Sequence, residues 1–346
     1  MSAAAAFERL WYGSRARAWP LLVLALPYAF VIAVRRALYA IGLFRRRHVA
    51  APVVVVGNLT VGGTGKTPVA AWLARELSLR GRRVGVVLRG YGGRWDGPPR
   101  VVEATDDPAV VGDEALLHAR RSPHVVVIGA DRAGAAGIAV GRGAEVVVCD
   151  DGLQHLALAR DLEIVVVDGG RGFGTGWLLP AGPLREPASR LERADVLVVT
   201  RRGGSVDRAP RARGPYSIEA RLVPGAAVNL RTGERRELAA FGGRPLHALA
   251  AIGHPEQFFA ALSAAGLRFE PHRLPDHAAL DPQALPFPAD ATVLMTEKDA
   301  VKCASYARAG WWYVELDVEV GRDDARDLVA RVLERTGLTG AGVKLG

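Results

Sequence analysis

Apolar residues along this chain are grouped in short runs of strand length, and segments with helical spacing separate several of the runs. Six runs are rich in Val, Ile and Leu with little polar interruption, which is typical of parallel strands buried on both faces. They span 51–58, 84–90, 124–130, 145–151, 163–168 and 195–200. The pattern predicts an α/β fold with a doubly wound parallel sheet, in which ligands bind at the carboxyl ends of the strands.

The second half of the chain repeats this alternation on a smaller scale. Residues 203–214 are rich in Arg, Gly and Pro and are expected to form a linker or exposed loop, because a nucleic-acid patch would carry interleaved aromatic residues. Strand and helix patterns then alternate through 247–320. We therefore expect a nucleotide lobe at 49–202 and a smaller α/β lobe at 203–346, preceded by a helical segment at 1–48.

That N-terminal segment is apolar and flanked by arginines. Residues 19–34 contain no charge, Arg35 and Arg36 interrupt the run, and more arginines lie on both sides of it. Sixteen residues fall short of the ~20 needed to cross hydrocarbon, and positive charge on both flanks does not favour one orientation. The pattern favours a helix in the membrane interface. A buried helix, a dimer contact and a single membrane span remain open.

Composition narrows the class of protein. The 346 residues are 49% hydrophobic and 23% charged, with a formal net charge of +9. Such a chain is globular, and the charge is compatible with nucleic acid, an anionic membrane or an anionic substrate. The two cysteines, Cys149 and Cys303, are too few for a disulfide framework and indicate a reducing cytoplasm.

A glycine-rich loop follows the first predicted strand. The segment TVGGTGKT contains Thr60, Val61, Gly62, Gly63, Thr64, Gly65, Lys66 and Thr67, and a helix-like segment opening with Pro68 comes next. In such a phosphate-binding loop the glycines turn backbone N–H groups toward the phosphates, the lysine reaches the β and γ oxygens, and the threonine hydroxyl ligates Mg²⁺. Thr60 stands where the usual GxxxxGK[ST] pattern has glycine. Strand, loop and helix in this order predict ATP binding.

Polar residues with potential chemistry cluster at the ends of predicted strands. Asp150 and Asp151 close the fourth run and are followed by Gln154 and His155; a turn with a helix cap would have the same residue types. Arg185 and Glu186 lie in a shaped loop at 172–187, where they either approach the phosphates or pair with each other. Three weaker signals are the GDE of Asp113 and Glu114, the Arg132 of GADR, and His277 in the turn PDH.

The order of these motifs identifies a family. The motifs that carry the resemblance are VVVVGNLTVGGTGKTPV, LRGYGG, GDE, GADR, DDGLQH, LPAGPLREP, GHPEQF, PDH and TEKDAVK. Together they resemble the tetraacyldisaccharide 4'-kinases, the lipid A 4'-kinases of Gram-negative bacteria. Members use ATP and Mg²⁺ to phosphorylate the 4'-hydroxyl of an acylated glucosamine disaccharide 1-phosphate at the cytoplasmic face of the inner membrane.

The resemblance implies a role for most of the candidate residues. Thr60 to Thr67 would form the ATP loop, and Asp113 with His277 would form the dyad that activates the acceptor hydroxyl. Asp150 and Asp151 would lie at the magnesium and phosphate centre, with Thr67 and Glu114 as further candidate metal ligands. Arg132, Gln154, His155, Arg185 and Glu186 match family positions as substrate-binding, supporting or catalytic residues.

Two other classes of protein remain to be weighed. Partitioning and targeting ATPases also carry GGTGKT after a strand, but they place a second lysine where this chain has Val61. A nucleotide-binding scaffold without catalysis would not need Asp113, Asp150 and His277 together. The sequence favours the kinase, with lipid as partner, no nucleic acid and no obligate protein partner.

Overall fold

The computed structural model describes residues 3–121, 124–202, 207–210, 213–275 and 285–338. The α-helices that it contains are α1 (Ala3–Trp11), α2 (Arg15–Ala18), α3 (Leu22–Ala40), α4 (Lys66–Leu79), α5 (Pro108–Val111), α6 (Asp113–Arg121), α7 (Arg132–Gly141), α8 (Pro255–Ala264), α9 (Glu297–Cys303) and α10 (Arg322–Arg335). Short 3-10 helices lie at Trp19–Leu21, Ala188–Arg193, Leu238–Phe241 and Ala304–Tyr306.

The strands belong to one sheet of 13 members. They are β1 (Val53–Gly57), β2 (Val84–Leu88), β3 (Arg100–Val101), β4 (Val125–Ile128), β5 (Val146–Asp150), β6 (Leu162–Asp168), β7 (Val196–Arg201), β8 (Tyr216–Asn229), β9 (Arg235–Arg236), β10 (Leu246–Ala250), β11 (Glu270–Arg273), β12 (Thr292–Thr296) and β13 (Trp311–Val320). The spatial order is β11-β10-β12-β13-β8-β7-β6-β1-β5-β2-β4-β3, with β9 paired to β8. All six predicted strands are present.

The predicted α/β fold is confirmed, but the sheet is mixed rather than wholly parallel. Pairing is parallel from β4 through β2, β5, β1, β6 and β7 to β8, and again among β10, β11, β12 and β13. The pairs β13·β8, β3·β4 and β8·β9 are antiparallel. The long strand β8 therefore joins two parallel sheets into one, a link that no local sequence pattern indicated.

Alternating residues of the central strands face two different cores. Val54 and Val56 of β1 belong to a cluster covered by α4, α6 and α10, whereas Val53 and Val55 belong to a cluster covered by α7. Burial on both faces explains why these strands are continuous apolar runs. It also leaves the carboxyl ends of the strands as the place where polar side chains converge.

The boundary predicted at residue 202 lies between β7 and β8, which pair in parallel along six residues from Val196 to Arg201. The last helix, α10, returns to the first half and buries Leu328, Val329, Val332 and Leu333 in the core beside α4. The division of the chain into lobes stays a prediction.

Candidate active site

The glycine loop lies between β1 and α4, at the carboxyl end of the central strand. Gly62 and Gly65 have positive φ values of 106° and 86°, in the region that glycine adopts without strain. A Cβ atom on Gly65 would lie 2.7 Å from Leu222 Cδ1, so the backbone here approaches its neighbours closely. Lys66 and Thr67 form the first turn of α4, where free backbone N–H groups favour an anion.

Neighbouring elements hold the loop in place. The Thr200 hydroxyl at the end of β7 donates to the Thr64 carbonyl at 2.8 Å, and both residues are buried. Val61 N donates to the Pro183 carbonyl at 2.8 Å, and Thr60 forms an isolated antiparallel bridge with Leu184. Thr60, the departure from the usual pattern, thus lies at a buried contact with the shaped loop at 172–187.

Two acidic residues follow one another where β5 ends. Asp150 is buried, and its Oδ2 lies 3.2 Å from His118 Nε2. Its Oδ1 is also buried and has no hydrogen-bond partner within the described part of the chain. Asp151 adopts φ 52°, a left-handed conformation that is uncommon for residues other than glycine and is found at functional sites. The two successive carboxylates therefore have different partners: Asp150 faces His118, and Asp151 faces Lys66 and Arg185.

Asp151 brings together two cations from distant parts of the sequence. Its Oδ2 lies 3.8 Å from Lys66 Nζ, and its Oδ1 lies 3.2 Å from Arg185 Nη1. The shaped loop therefore places Arg185 beside the lysine of the glycine loop, and Arg185 does not pair with Glu186. Two cations and one carboxylate leave net positive charge beside the loop, which suits polyphosphate.

Glu186, the residue that follows Arg185, is almost fully buried. Its Oε1 accepts from Gln154 Nε2 at 3.1 Å, and the same amide nitrogen lies 3.1 Å from the Asn58 carbonyl. Arg36 and Arg190 each lie 3.7 Å from Glu186 Oε2. The pair Gln154 and Glu186 thus ties the shaped loop to the end of β1.

Arg132 and His155 lie near Asp151. Arg132 is 3% exposed, donates to the Gly129 carbonyl, and has a buried Nε with no partner among the described residues. Burial lowers the pKa of Arg132. Burial, together with the nearby Arg132 and Arg35, lowers the pKa of His155 to about 4, so that its ring is neutral at pH 7.

Asp113 and Glu114 occupy the first turn of α6. Glu114 Oε1 accepts from Lys298 Nζ at 2.8 Å, which connects the second half of the chain to the site. Burial alone would raise the pKa of Glu114, but Lys298 and Lys66 lower it to about 2, so this carboxylate is ionised. His277, the proposed partner of Asp113, lies outside the described residues.

Sequence reasoning missed three residues of this site: His118, Lys298 and Thr200. His118 is four residues after Glu114 on α6, and that spacing places both on one face of the helix. Its ring is 2% exposed. The periodicity of GDEALLH could therefore have marked His118, whereas the contacts of Lys298 and Thr200 depend on tertiary packing.

The N-terminal helices also reach the shaped loop. Tyr28 of α3 donates from its hydroxyl to the Arg185 carbonyl at 3.0 Å, and Arg35 Nη2 donates to the Gln154 carbonyl at 3.0 Å. Trp11 Nε1 donates to the Pro180 carbonyl at 2.8 Å. The segment for which the sequence favoured a membrane-facing helix is thus packed against the candidate active site.

The outer side of α3 is not covered by protein. Val23, Leu26 and Phe30 are each 68% exposed. Among the described residues, Arg15–Ala40 is the one helical stretch that is long and apolar enough to cross a membrane, and 6% of its most apolar window is buried. The alternative that this segment is a helix buried in the core of the chain is therefore wrong.

Comparison with known proteins agrees with the motifs. The family model described as tetraacyldisaccharide-1-P 4'-kinase matches residues 17–335. A tetraacyldisaccharide 4'-kinase of Alkalilimnicola ehrlichii is 50% identical over 301 residues, covering 87% of this chain and 88% of the relative. A second, of Pseudomonas paraeruginosa, is 46% identical over 319 residues, covering 90% and 92%.

A solved structure has the same fold. It is a crystal structure of LpxK from Aquifex aeolicus in complex with ATP, and it matches with a TM-score of 0.80 at 28% identity. The match covers 92% of this chain and 99% of that chain. A family match over nearly the whole chain, these relatives and this fold together confirm the resemblance: the chain belongs to the tetraacyldisaccharide 4'-kinase family.

Proposed function

We propose that this enzyme transfers the γ-phosphoryl group of ATP to the 4'-hydroxyl of tetraacyldisaccharide 1-phosphate, which gives lipid IVA in lipid A biosynthesis. The observation that carries the proposal is the meeting of Lys66 and Arg185 on Asp151 beside the glycine loop. A kinase active site needs cations at the transferring phosphoryl group, because charge develops on its oxygens in the transition state. A partitioning ATPase is not favoured, since it belongs to another family.

We assign the ATP phosphates to the loop from Thr60 to Thr67. Its backbone N–H groups would contact the phosphates, and Lys66 would reach the β and γ oxygens. Arg185 would stabilise charge on the γ-phosphoryl group, while Asp151 holds both cations in position. Arg132, with its buried guanidinium and unpartnered Nε, would bind a phosphate of either substrate.

The chain fits a bound Mg²⁺ ion, which prefers oxygen ligands. Asp150 offers a buried Oδ1 without a partner among the described residues, and Glu114 is ionised because its pKa is about 2. We assign Mg²⁺ to Asp150, Glu114 and the Thr67 hydroxyl. When bound there, the ion would neutralise charge on the β and γ phosphates.

The acceptor hydroxyl needs a base to become a good nucleophile. We assign this role to His277, oriented by Asp113, which begins α6 beside Glu114. As His277 accepts the hydroxyl proton, the sugar oxygen would bond to the γ-phosphorus and the bond to the β-phosphate oxygen would break, releasing ADP. Gln154, His155 and Glu186 would support the shaped loop around the sugar.

These roles predict different kinetic defects. Lys66→Ala and Arg185→Ala should lower kcat by about 10²–10³-fold, as does loss of a single charge-stabilising donor in other enzymes. His277→Ala should lower kcat by a similar factor but leave the dissociation constant of ATP unchanged, because the base contacts the acceptor. Weaker ATP binding in His277→Ala would contradict its role as base.

We further propose that α3 holds the enzyme at the cytoplasmic face of the inner membrane. Its exposed apolar residues lie on the outer side, and Arg45 and Arg46 follow the helix as exposed residues. Such a helix binds an anionic interface through buried apolar area and through attraction to lipid phosphates. An acylated substrate is found in the same layer.

Vesicle flotation tests this attachment. The double variant Leu26→Ser and Phe30→Ser should lose most of its binding to vesicles with anionic lipid and should keep its affinity for ATP. Tyr28→Phe is the matched control, because it changes the inner side of the same helix. Equal partitioning of the double variant and the wild type would refute the assignment.

A further inference from the structure

A cluster of metal-ligating side chains lies at the far edge of the sheet, away from the phosphate site. Glu270 and His272 are two residues apart on β11, so they project from the same face of this strand. His247 on β10 is the cross-strand partner of Glu270. The register thus brings three potential ligands together, and none of them has a part in the kinase mechanism.

The three side chains form a compact triangle of possible metal ligands. His247 Nδ1 lies 2.9 Å from His272 Nε2 and 3.5 Å from Glu270 Oε2, and His272 Nε2 lies 4.0 Å from Glu270 Oε1. A tetrahedral zinc ion about 2.0–2.2 Å from nitrogen and oxygen ligands separates each pair of donors by about 3.3 Å. The observed nitrogen–nitrogen distance of 2.9 Å is shorter than that value, and the nitrogen–oxygen distances of 3.5 and 4.0 Å are longer.

The surroundings of the triangle resemble those of a metal centre. The Phe287 ring packs against both imidazoles, with centroids 5.7 Å from His247 and 5.4 Å from His272. His272 is buried, whereas Glu270 is 66% exposed, which leaves one side open to solvent.

We propose that His247, Glu270 and His272 bind a divalent transition-metal ion of the Zn²⁺ or Co²⁺ type, with water as the fourth ligand. Two imidazoles and one carboxylate suit these ions, whereas Mg²⁺ prefers oxygen ligands. The site lies at the edge of the fold, because β11 is the last strand of the sheet and pairs only with β10 among the described strands. A shared ion ties this edge strand to its neighbour.

Co²⁺ titration tests the site, because tetrahedral Co²⁺ absorbs visible light much more strongly than octahedral Co²⁺. The protein is the full chain without a histidine tag, freed of metal with a chelator and kept in excess Mg²⁺ to saturate oxygen sites. The site predicts one equivalent of Co²⁺ with a tetrahedral spectrum, displaced by Zn²⁺, and a higher Tm in Zn²⁺. In Glu270→Gln and His272→Gln the affinity should fall at least 10-fold.

His48→Gln is the matched control, since His48 is an exposed histidine in another part of the chain, and its titration should match that of the wild type. Glu270→Gln changes an exposed side chain, so it keeps the test valid even if His272→Gln does not fold. No tetrahedral spectrum, or equal affinity in the wild type and Glu270→Gln, would overturn the proposal. The pair of histidines would then share a proton through a simple hydrogen bond.

Discussion

Replacing Thr200 with valine should damage ATP binding although Thr200 is not part of the glycine loop. The Thr200 hydroxyl donates to the Thr64 carbonyl at 2.8 Å, and the two residues are 1% and 5% exposed. Valine keeps the shape of the side chain and removes the donor. Leaving a buried carbonyl without its partner costs about 1–3 kcal/mol.

If the loop must recover this conformation to bind phosphates, the same free energy appears in binding. A loss of about 1–3 kcal/mol corresponds to an increase of roughly 5- to 150-fold in the dissociation constant of ATP. Calorimetric titration with a non-hydrolysable ATP analogue measures that constant, and urea unfolding measures the accompanying change in stability. Thr200→Ser, which retains the hydroxyl, should bind with an affinity close to that of the wild type.

If Thr200→Val lowered the free energy of unfolding but left the dissociation constant within about twofold of the wild type, the hydrogen bond would support the fold and not the loop. A similar loss in Thr200→Ser, which keeps the hydroxyl and lacks the methyl group, would show that the hydrogen bond alone does not account for the loss.

Three further predictions concern buried or strained positions. Gly65→Ala should abolish ATP binding, because the residue has φ 86° and its Cβ would lie 2.7 Å from Leu222 Cδ1; binding within about tenfold of the wild type, measured by the same calorimetry, would contradict this. His118→Leu should lower kcat and raise the Mg²⁺ concentration needed for half-maximal ATP binding, because Asp150 loses its buried partner. His118→Gln, which can still form a hydrogen bond, should show smaller defects in both. Equal defects in the two variants would argue against the idea that His118 positions Asp150. Burial lowers the pKa of His124 to about 4 from its usual 6.5, so its contribution to stability is complete above pH 6.5 and falls as the pH drops toward 4. Between pH 7 and pH 5 the free energy of unfolding, measured with urea, should therefore fall by about 1–2 kcal/mol less in His124→Gln than in the wild type. An equal fall in the two proteins would contradict the lowered pKa of His124.

Local patterns in the sequence predicted the buried parallel strands and the glycine loop in the first half of the fold. β1 is a run of valines because both of its faces are buried, and the glycine loop and Pro68 then mark the start of α4. Each of these signals lies within a few adjacent residues, so it can be read from one sequence without knowledge of the tertiary contacts. The antiparallel pairing of β8 with β13 and the return of α10 to the first core depend on contacts across the whole chain, and no local signal encodes them.

The candidate site divides in the same way. The strand ends predicted where Asp150 and Asp151 would be, and the structure brings Lys66 and Arg185 to Asp151. It does not describe His277, so the dyad with Asp113 stays a prediction. Lys298 reaches Glu114 across 184 positions of sequence. Such a contact follows from packing alone, and neither residue carries a local sign of it.

The N-terminal segment shows how a sequence pattern can be incomplete. Its apolar run predicted a membrane-facing helix, and the outer side of α3 is exposed as that requires. The inner side instead contacts the shaped loop through Tyr28 and Arg36, and Arg35 donates to the carbonyl of Gln154. Hydropathy reports the apolar side of a helix, and it does not reveal which polar groups the other side will meet.

Phosphoryl transfer to the lipid acceptor tests the central claim most directly. The wild-type enzyme, ATP, Mg²⁺ and tetraacyldisaccharide 1-phosphate are combined in mixed micelles, and the lipid is analysed by mass spectrometry beside a Lys66→Ala reaction. We predict that the wild type adds one phosphate to the disaccharide, that fragmentation places it at the 4' position, and that Lys66→Ala adds none in the same time. An unchanged lipid mass, with ATP hydrolysed equally with and without lipid, would contradict the assignment.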